Sequence, residues 1–420
     1  MSESNKKYSR ELAEHFFRTE YGKIVSVITS YIGVNNVETA EDIVQESLLK
    51  AVDNWQQNGI PKNPEAWLYT TAKNITLNIL KRKKYQTKYQ FEVARNTIEL
   101  EHLQFSNEMI LDEQLKMMFA CCHPSISENS QIALILKILC GFSISEIANA
   151  FFTTNETINK RLVRGRKQLR ENKISFEIPK KINEHLAIVQ KTIYLLFNEG
   201  YSPTQKNELI RLDFCLEAIR LANILVTNKS IKEKTDCYAL LALMQFNASR
   251  FKARINSDNS IIEMERQDRS KWNKDLINSG TQYLNQAIKG NKISIYLILA
   301  AISANHCIAK SFSHTNWSAI LSLYDNLLEL EDSPTIRLNR AVALSKVKGN
   351  KKAIAELKNI ELNSDIGEHP MFHVVLAEFF KEENELSKSI KHFKKAISFT
   401  KNKRDLKLLE KKLIAVVPIS

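Results

Sequence analysis

The stretch from residue 142 to 170 reads FSISEIANAFFTTNETINKRLVRGRKQLR, and its apolar spacing predicts two helices joined by a tight turn. Ser143 or Ser145 can cap the first helix, because a hydroxyl accepts a hydrogen bond from an unpaired amide of the first turn. The apolar side chains of that helix fall on one face: Ile144, Ile147, Ala148 and Phe151. Residues 153–155, Thr-Thr-Asn, then supply the turn and a second N-cap.

The second helix of this stretch separates apolar from basic side chains. Its buried face would carry Ile158, Leu162 and Leu169. Its exposed face would carry Asn159, Lys160, Arg161, Arg164 and Lys167. This anatomy predicts a helix-turn-helix whose second helix enters the DNA major groove. We expect residues 159–161 to meet base edges, and the later cations, Arg164, Arg166 and Lys167, to meet phosphates. The alternative is a basic helix that is merely solvated on an ordinary helical bundle.

The composition of the whole chain favours an all-α fold. Gly (10) and Pro (8) are scarce in 420 residues, and both break helices. The net charge of +13 suits a polyanionic partner such as nucleic acid, and it also suits a well-solvated basic surface.

The cysteines and the N-terminus indicate a cytoplasmic protein. The six cysteines are scattered without paired spacing, which is typical of a reducing compartment. The first residues, MSESNKKY, lack the apolar core of a signal peptide, and no stretch approaches 18 uninterrupted apolar residues. We therefore expect no membrane association.

Four zones follow one another along the chain. We expect a helical unit over residues 1–84 that ends in the basic run Leu80-Lys81-Arg82-Lys83-Lys84, and a polar linker over 85–110. The helix-turn-helix unit then occupies 111–175, and a long series of amphipathic helices occupies 176–420.

The first zone joins an acidic helix to an aromatic and basic one. Glu41, Asp42, Gln45 and Glu46 share roughly one helical face, which alone would pass for a solvated surface. Downstream, residues 63–84 interleave aromatic residues with Lys and Asn, a combination that suits single-stranded DNA. For Trp67, packing in the core is the stronger interpretation.

The last zone contains a weak internal repeat. Asn339, Ala343 and Asn350 recur 34 residues later as His373, Ala377 and Asn384, the period of tetratricopeptide helix pairs. Small residues such as Ala377 and Ala396 would let two helices approach closely, and Phe380 and Phe393 would fill the groove between them. A generic α-helical domain is the alternative.

Few features of the sequence indicate a metal site or a catalytic site. Cys121, Cys122 and His123, with Cys140, lack the two-residue gap common in zinc sites, so we expect no metal. No phosphate-binding loop, dinucleotide fingerprint or nucleophile elbow is present, so we expect neither a cofactor nor an enzyme.

Two motifs in order resemble the sigma-70 family of RNA polymerase sigma factors, in its extracytoplasmic-function (ECF) group. The segment 42–46, DIVQE, with Trp67-Leu68-Tyr69 and Ala72-Lys73-Asn74, resembles sigma region 2. The segment 156–166, ETINKRLVRGR, resembles sigma region 4. Three C-terminal pieces are similar to a subgroup with a tetratricopeptide-like extension: FACCHP at 119–124, LLFNEGY at 195–201 and ERQDRSKW at 265–272.

This resemblance implies a transcription initiation factor whose partners are core RNA polymerase, through its β′ and β subunits, and promoter DNA. The acidic face, with Glu41, Asp42, Gln45 and Glu46, would bind a coiled coil of β′. Around the −10 element, Asn74 would capture a flipped base beside Trp67, and Lys73, Lys81 and Arg82 would hold phosphates. The helix from Thr157 to Arg164 would read the −35 element. Asn159 stands where many relatives carry a cation.

Other functions remain open on the sequence. A helix-turn-helix regulator with a ligand- or protein-sensing C-terminal domain would bind palindromic sites as a dimer, without polymerase. A scaffold would act through its repeat domain alone. The C-terminal helices of a sigma factor would regulate it either by docking on the sigma regions in cis or by binding a regulatory protein.

Overall fold

The computed structural model describes most of the chain. The residues outside the description are 1–2, 85–97, 101–102, 104, 152, 173, 203–209, 257–259, 291, 364–366, 368, 401–402 and 418–420. Most of the predicted linker over 85–110 therefore lies outside the described residues.

The described residues form α-helices joined by turns and short 3-10 segments, which confirms the predicted all-α fold. Their one β-type contact is an isolated bridge between Ile255 and Ile261. In chain order the helices α1 to α19 are Glu3–Ile32, Val37–Asn58, Pro64–Lys84, Asn107–Cys121, Glu128–Leu134, Ile144–Ala150, Asn155–Glu171, Ile182–Tyr201, Leu212–Thr227, Thr235–Ala248, Phe251–Arg254, Lys274–Ile288, Ile295–Ile308, Trp317–Leu330, Pro334–Lys348, Asn350–Asn363, Pro370–Glu382, Leu386–Phe399 and Lys403–Ile414. None of these described helices has the length and apolar character that crossing a bilayer requires.

The chain divides into two compact units. Unit 1 comprises Met1–Glu199 and Leu216–Glu233, and unit 2 comprises Gly200–Cys215 and Lys234–Ser420. The predicted boundaries at 84, 110 and 175 stay predictions.

Helix α1 is the centre of unit 1. It packs against α2, α3, α4 and the π-helical turn Ile135–Leu139 that continues α5. A glycine makes the last contact possible, because a Cβ on Gly22 would lie 2.1 Å from the carbonyl oxygen of Leu139. The fully buried Phe142 follows this turn. The helices of the predicted first and third zones thus share one core.

Unit 2 is built from helices that pack against their neighbours in the chain. Helix α10 packs against α12 and α13, and α14 to α19 follow as successive neighbours. The side chains predicted to sit between repeat helices are indeed buried: Ala343, Ala377, Phe380, Phe393 and Ala396. They belong to two apolar clusters that run through these helices. The helix pairing agrees with the predicted repeat, and its tetratricopeptide character stays a prediction.

Candidate nucleic-acid interface

Both helices of the helix-turn-helix are capped as the sequence predicts. The Ser143 hydroxyl accepts from the Glu146 amide (3.2 Å), and the Glu146 carboxylate accepts from the Ser143 amide (2.7 Å), a reciprocal capping box. Burial opposes ionisation of Glu146, but these hydrogen bonds and the charge of Arg18 lower its pKa. Thr154 caps α7 by accepting from the Thr157 amide (3.1 Å). These caps fix the angle at which α7 leaves the turn.

The apolar face of α7 is buried as predicted, with Ile158, Leu162 and Leu169 at most 1% exposed. Gly165 lies on the same face, where a Cβ would meet Leu134 of α5 at 2.8 Å. The helix therefore sits close against its support and presents its other side outward.

That outer side carries the predicted DNA-binding residues. Asn159, Lys160, Arg164 and Lys167 are exposed, and Arg161 is half-buried. Lys160 pairs with Glu156 and Lys167 with Glu171, at 2.7 and 3.6 Å, one helical turn apart. Exposed pairs of this kind are weak, so both ammonium groups can exchange a carboxylate for a phosphate. The backbone amide of Thr157 already donates to the Thr154 hydroxyl in the N-cap.

Arg166 faces the other way and joins α7 to α2. Its guanidinium forms an ion pair with Glu41 and contacts Glu38 at 3.5 Å, while Arg170 pairs with Glu38 at 2.9 Å. The side chains of Arg166 and Glu41 are only 15% and 4% exposed. In this arrangement neither is available for the phosphate contact or the polymerase contact expected of it.

Tyr21 completes this buried cluster. Its hydroxyl donates to the second carboxylate oxygen of Glu41 at 3.1 Å. Burial and then the charge of Glu41 raise the pKa of Tyr21, which keeps the phenol protonated as a donor. The Glu41 carboxylate is thus held by a guanidinium and a hydroxyl, as a buried charge requires.

A second ionic contact joins α1 to the helix-turn-helix. Arg18 forms an ion pair with Glu146 of the capping box, and its guanidinium lies 4.7 Å from the ring centroid of Phe142. Gly141 adopts a positive φ of 68° beside Tyr21. No sequence signal pointed to these contacts, because 128 residues separate Arg18 from Glu146 and 125 separate Glu41 from Arg166.

The other side chains of the predicted polymerase-binding face of α2 are exposed to solvent. Asp42, Gln45 and Glu46 are exposed, and Glu46 pairs with Lys50 at 2.8 Å on the same surface. The acidic face therefore divides into a buried carboxylate at Glu41 and an accessible group of side chains at Asp42, Gln45 and Glu46.

The residues predicted for the −10 element lie along α3. Asn74, Lys81 and Arg82 are exposed, and positions 74 and 81 fall on one side of the helix because seven residues make nearly two turns. Trp67 is half-buried against Trp55 in an edge-on contact with centroids 5.7 Å apart, which agrees with a packing role. Lys73 donates to the carbonyl oxygen of Leu103 at 3.3 Å and is half-buried.

Three free thiols near this site, those of Cys121, Cys122 and Cys140, are buried. Cys122 lies 3.6 Å from the Thr192 hydroxyl, and burial raises its pKa to about 12. Burial also raises the pKa of Cys121 and of Cys140. Burial thus favours the neutral thiol at all three positions.

Comparison with known proteins gives the family. Residues 16–85 match the model of sigma-70 region 2, which covers most of α1 to α3. An ECF RNA polymerase sigma factor of Bacillus subtilis, SigW, is 26% identical over 34% of this chain and 79% of its own length. The ECF RNA polymerase sigma-E factor of Haemophilus influenzae is 29% identical over 36% of this chain and 82% of its own.

The chain contains a sigma-70 region 2 domain and is homologous to ECF RNA polymerase sigma factors.

The chain extends well beyond those relatives. Residues 185–288 match a family of unknown function, DUF6596. An uncharacterized protein of Rhizobium meliloti is 32% identical over 76% of this chain and 77% of its own length. No solved structure matches the chain. The helices in this part of the chain therefore form an additional C-terminal extension, and the similarity to the Rhizobium meliloti protein reaches into it.

Proposed function

We propose that this sigma factor binds core RNA polymerase, recognises −35 and −10 promoter elements and promotes DNA melting, with its C-terminal helices regulating that activity. The observation that carries the proposal is the capped α7, whose exposed side bears Asn159, Lys160, Arg164 and Lys167.

The −35 contact uses the first turns of α7. Thr154 caps the N-terminal end of α7, the end at which a recognition helix would meet bases, and Asn159 and Lys160 are exposed there. Arg164 and Lys167, further along, neutralise backbone phosphates and release their counterions. Asn159 offers an amide that can pair with adenine, where a cation would favour guanine.

The −10 contact uses α3. Asn74 offers an exposed amide to a base that has left the stack, and Lys81 and Arg82 lie along the same helix for the strand's phosphates. Unstacking a base costs a few kcal/mol, which these contacts must offset. Trp67 supports this surface from beneath through Trp55.

Docking on polymerase uses Asp42, Gln45 and Glu46 at the outset, because they are exposed while Glu41 is paired with Arg166. A basic partner that engages Glu38 or Glu41 competes with Arg166 and Arg170 for the same carboxylates. Polymerase binding would therefore release α7 from α2 and free Arg166 for a phosphate. Binding and activation become one coupled step.

The C-terminal helices would act either in cis or through a regulatory protein. Stacked helix pairs present elongated surfaces suited to a peptide segment. The cis route predicts that transcription with purified components responds to changes in unit 2 that leave unit 1 folded. The second route predicts a response only when the regulatory protein is present.

Run-off transcription with purified core polymerase tests the proposal. A promoter-dependent transcript is expected with the full chain, and the Asp42→Lys plus Glu46→Lys variant should lose both the transcript and co-elution with polymerase. Asp53→Lys, a change of equal charge on the same helix, serves as the matched control. DNA binding as a dimer to palindromic sites, with no transcript on any promoter tried, would instead favour a helix-turn-helix regulator.

A further inference from the structure

A small cavity of unit 2 lies between the loop that precedes α12 and the end of α13. Its volume is about 280 Å³, near the lower end of the range of roughly 300–1,000 Å³ for small-molecule sites. Arg269, Trp272, Lys274 and Lys310 supply its polar lining, and Ile277 and Ala309 are among its apolar residues.

The loop that forms this cavity is firmly held. Arg269 donates through Nη1 to the carbonyl oxygens of His306 and Ala309, at 2.6 and 2.7 Å. Its guanidinium lies 4.4 Å from the ring centroid of Trp272. The Asn273 amide donates to the Ser249 carbonyl oxygen at 2.8 Å. The cavity is therefore a formed feature of the fold.

Two hydrogen-bond donors at the cavity lack an acceptor. Trp272 is 4% exposed, and its Nε1–H is buried without a partner. The Nη2 group of Arg269 is likewise buried and unpaired, although Nη1 is used. An unmet buried donor costs about 1–3 kcal/mol, so two beside one cavity indicate a missing acceptor.

The charged residues that line the cavity are all positive. No carboxylate is among its lining residues. Among the described residues, none of the ion pairs involves Arg269, Lys274, Lys310 or the nearby Arg250, whose guanidinium lies 5.9 Å from the Trp272 ring centroid. Burial and then these two arginines lower the pKa of His306 to about 4, so its ring stays neutral and adds no charge.

From the cavity, its unpaired donors and its unbalanced cations, we propose that this is a binding site for a small organic oxyanion, a carboxylate or phosphate on a compact apolar body. The oxyanion accepts from Trp272 Nε1–H and Arg269 Nη2–H, while Lys274 and Lys310 close over it. Ile277 and Ala309 contact the apolar body. This site is independent of the proposed sigma function. Ligand binding to it can be measured without DNA or polymerase.

Calorimetric titration of the full chain tests the site. The probes are benzoate and phenyl phosphate, with neutral benzyl alcohol as the uncharged control, in a Tris-chloride buffer of constant ionic strength. Saturable binding of at least one anion is expected with Kd of about 1 mM or tighter, and none of benzyl alcohol. The anion that binds more tightly shows whether the site prefers a carboxylate or a phosphate.

Two variants assign the binding to this cavity. Lys274→Gln plus Lys310→Gln removes exposed charges without touching the core and should weaken binding about tenfold or more. Trp272→Phe keeps a ring beneath Arg269 and should weaken it through loss of the donor. Lys271→Gln plus Lys289→Gln, an equal change of exposed charge outside the cavity, should bind as the unmodified chain does. Absence of saturable binding, or equal affinity in the two double variants, would overturn the proposal.

Discussion

Arg166 and Lys167 are neighbours on α7 with opposite environments. Arg166 is 15% exposed and paired with the buried Glu41, whereas Lys167 is 61% exposed and pairs only within its own helix. Breaking a buried ion pair leaves an uncompensated charge, while an exposed pair contributes little. Substituting these two neighbouring cations should therefore change the stability of the chain by different amounts.

We expect Arg166→Ala to lower the free energy of unfolding of the chain by about 3 kcal/mol, because Glu41 would keep its burial and lose its cation. Lys167→Ala should stay within about 0.5 kcal/mol of the unmodified chain. Urea unfolding measures both. Adding Glu41→Gln to Arg166→Ala should recover part of the loss, and a purely additive double variant would contradict the pairing.

The histidines of unit 2 predict a pH dependence. Burial, with the charges of Arg250 and Arg269, lowers the pKa of His306 to about 4, and burial with His373 and nearby lysines lowers that of His392 to about 4. The unfolded chain takes up protons near pH 6.5, before the folded chain does, so stability is lost as pH falls from about 6.5 towards 4.

Thermal unfolding at pH 7 and pH 5 checks this expectation, with a fall in Tm of at least a few degrees. His392→Phe should reduce the fall, since the ring of Phe380 stacks on that position and the ring of His373 lies beside it. His314→Asn, at an exposed position of unit 2, should leave it unchanged. An identical pH response in all three proteins would exclude the buried ring at position 392 as a source.

At the scale of elements, the sequence predicts what is local. The caps at Ser143 and Thr154 and the apolar face of α7 follow from spacing within a dozen residues, and the structure confirms them. Contacts between distant elements leave no such signal. The pairing of Glu41 with Arg166, and the close approach of Gly22 to Leu139, depend on how α1, α2 and α7 pack.

Substituting the exposed cations of α7 should weaken DNA binding in a way that depends on salt. Arg164→Ala plus Lys167→Ala should weaken binding to a duplex with a −35 element and reduce the salt slope by about 2, one for each lost phosphate contact. Fluorescence anisotropy at several salt concentrations, with the sigma factor on core polymerase, measures both. Lys191→Ala, an exposed cation on α8, is the control, and an unchanged slope in the α7 variant would argue against a DNA contact.

At the scale of the whole molecule, the two units alternate along the chain. After Gly200–Cys215 in unit 2, the chain returns to unit 1 for Leu216–Glu233. That returning segment is bonded to the helix-turn-helix side of unit 1. Arg220 donates to the Leu139 carbonyl oxygen at 2.9 Å, and Asn228 donates to the Asp112 carboxylate at 2.7 Å.

Helix α8 also belongs to the core of unit 1. Val189, Ile193 and Phe197 are fully buried, and Thr192 lies beside Cys122. Burying such apolar side chains contributes about 1.5–3 kcal/mol each. Unit 1 thus depends on residues well beyond the helix-turn-helix, which the sequence pattern assigned to a separate zone beginning at residue 176.

A truncation series distinguishes dependence on these helices from regulation by unit 2. A chain that ends at residue 178 should unfold at a markedly lower temperature than one that ends at Glu233, because the shorter chain loses α8 and the Arg220 and Asn228 contacts. Only the chain ending at Glu233 can then report on regulation. If its promoter-dependent transcription with core polymerase differs from that of the full chain, unit 2 acts in cis. Equal transcription would require a separate partner, and equal melting temperatures of the two truncated chains would contradict the role of α8 and α9 in unit 1.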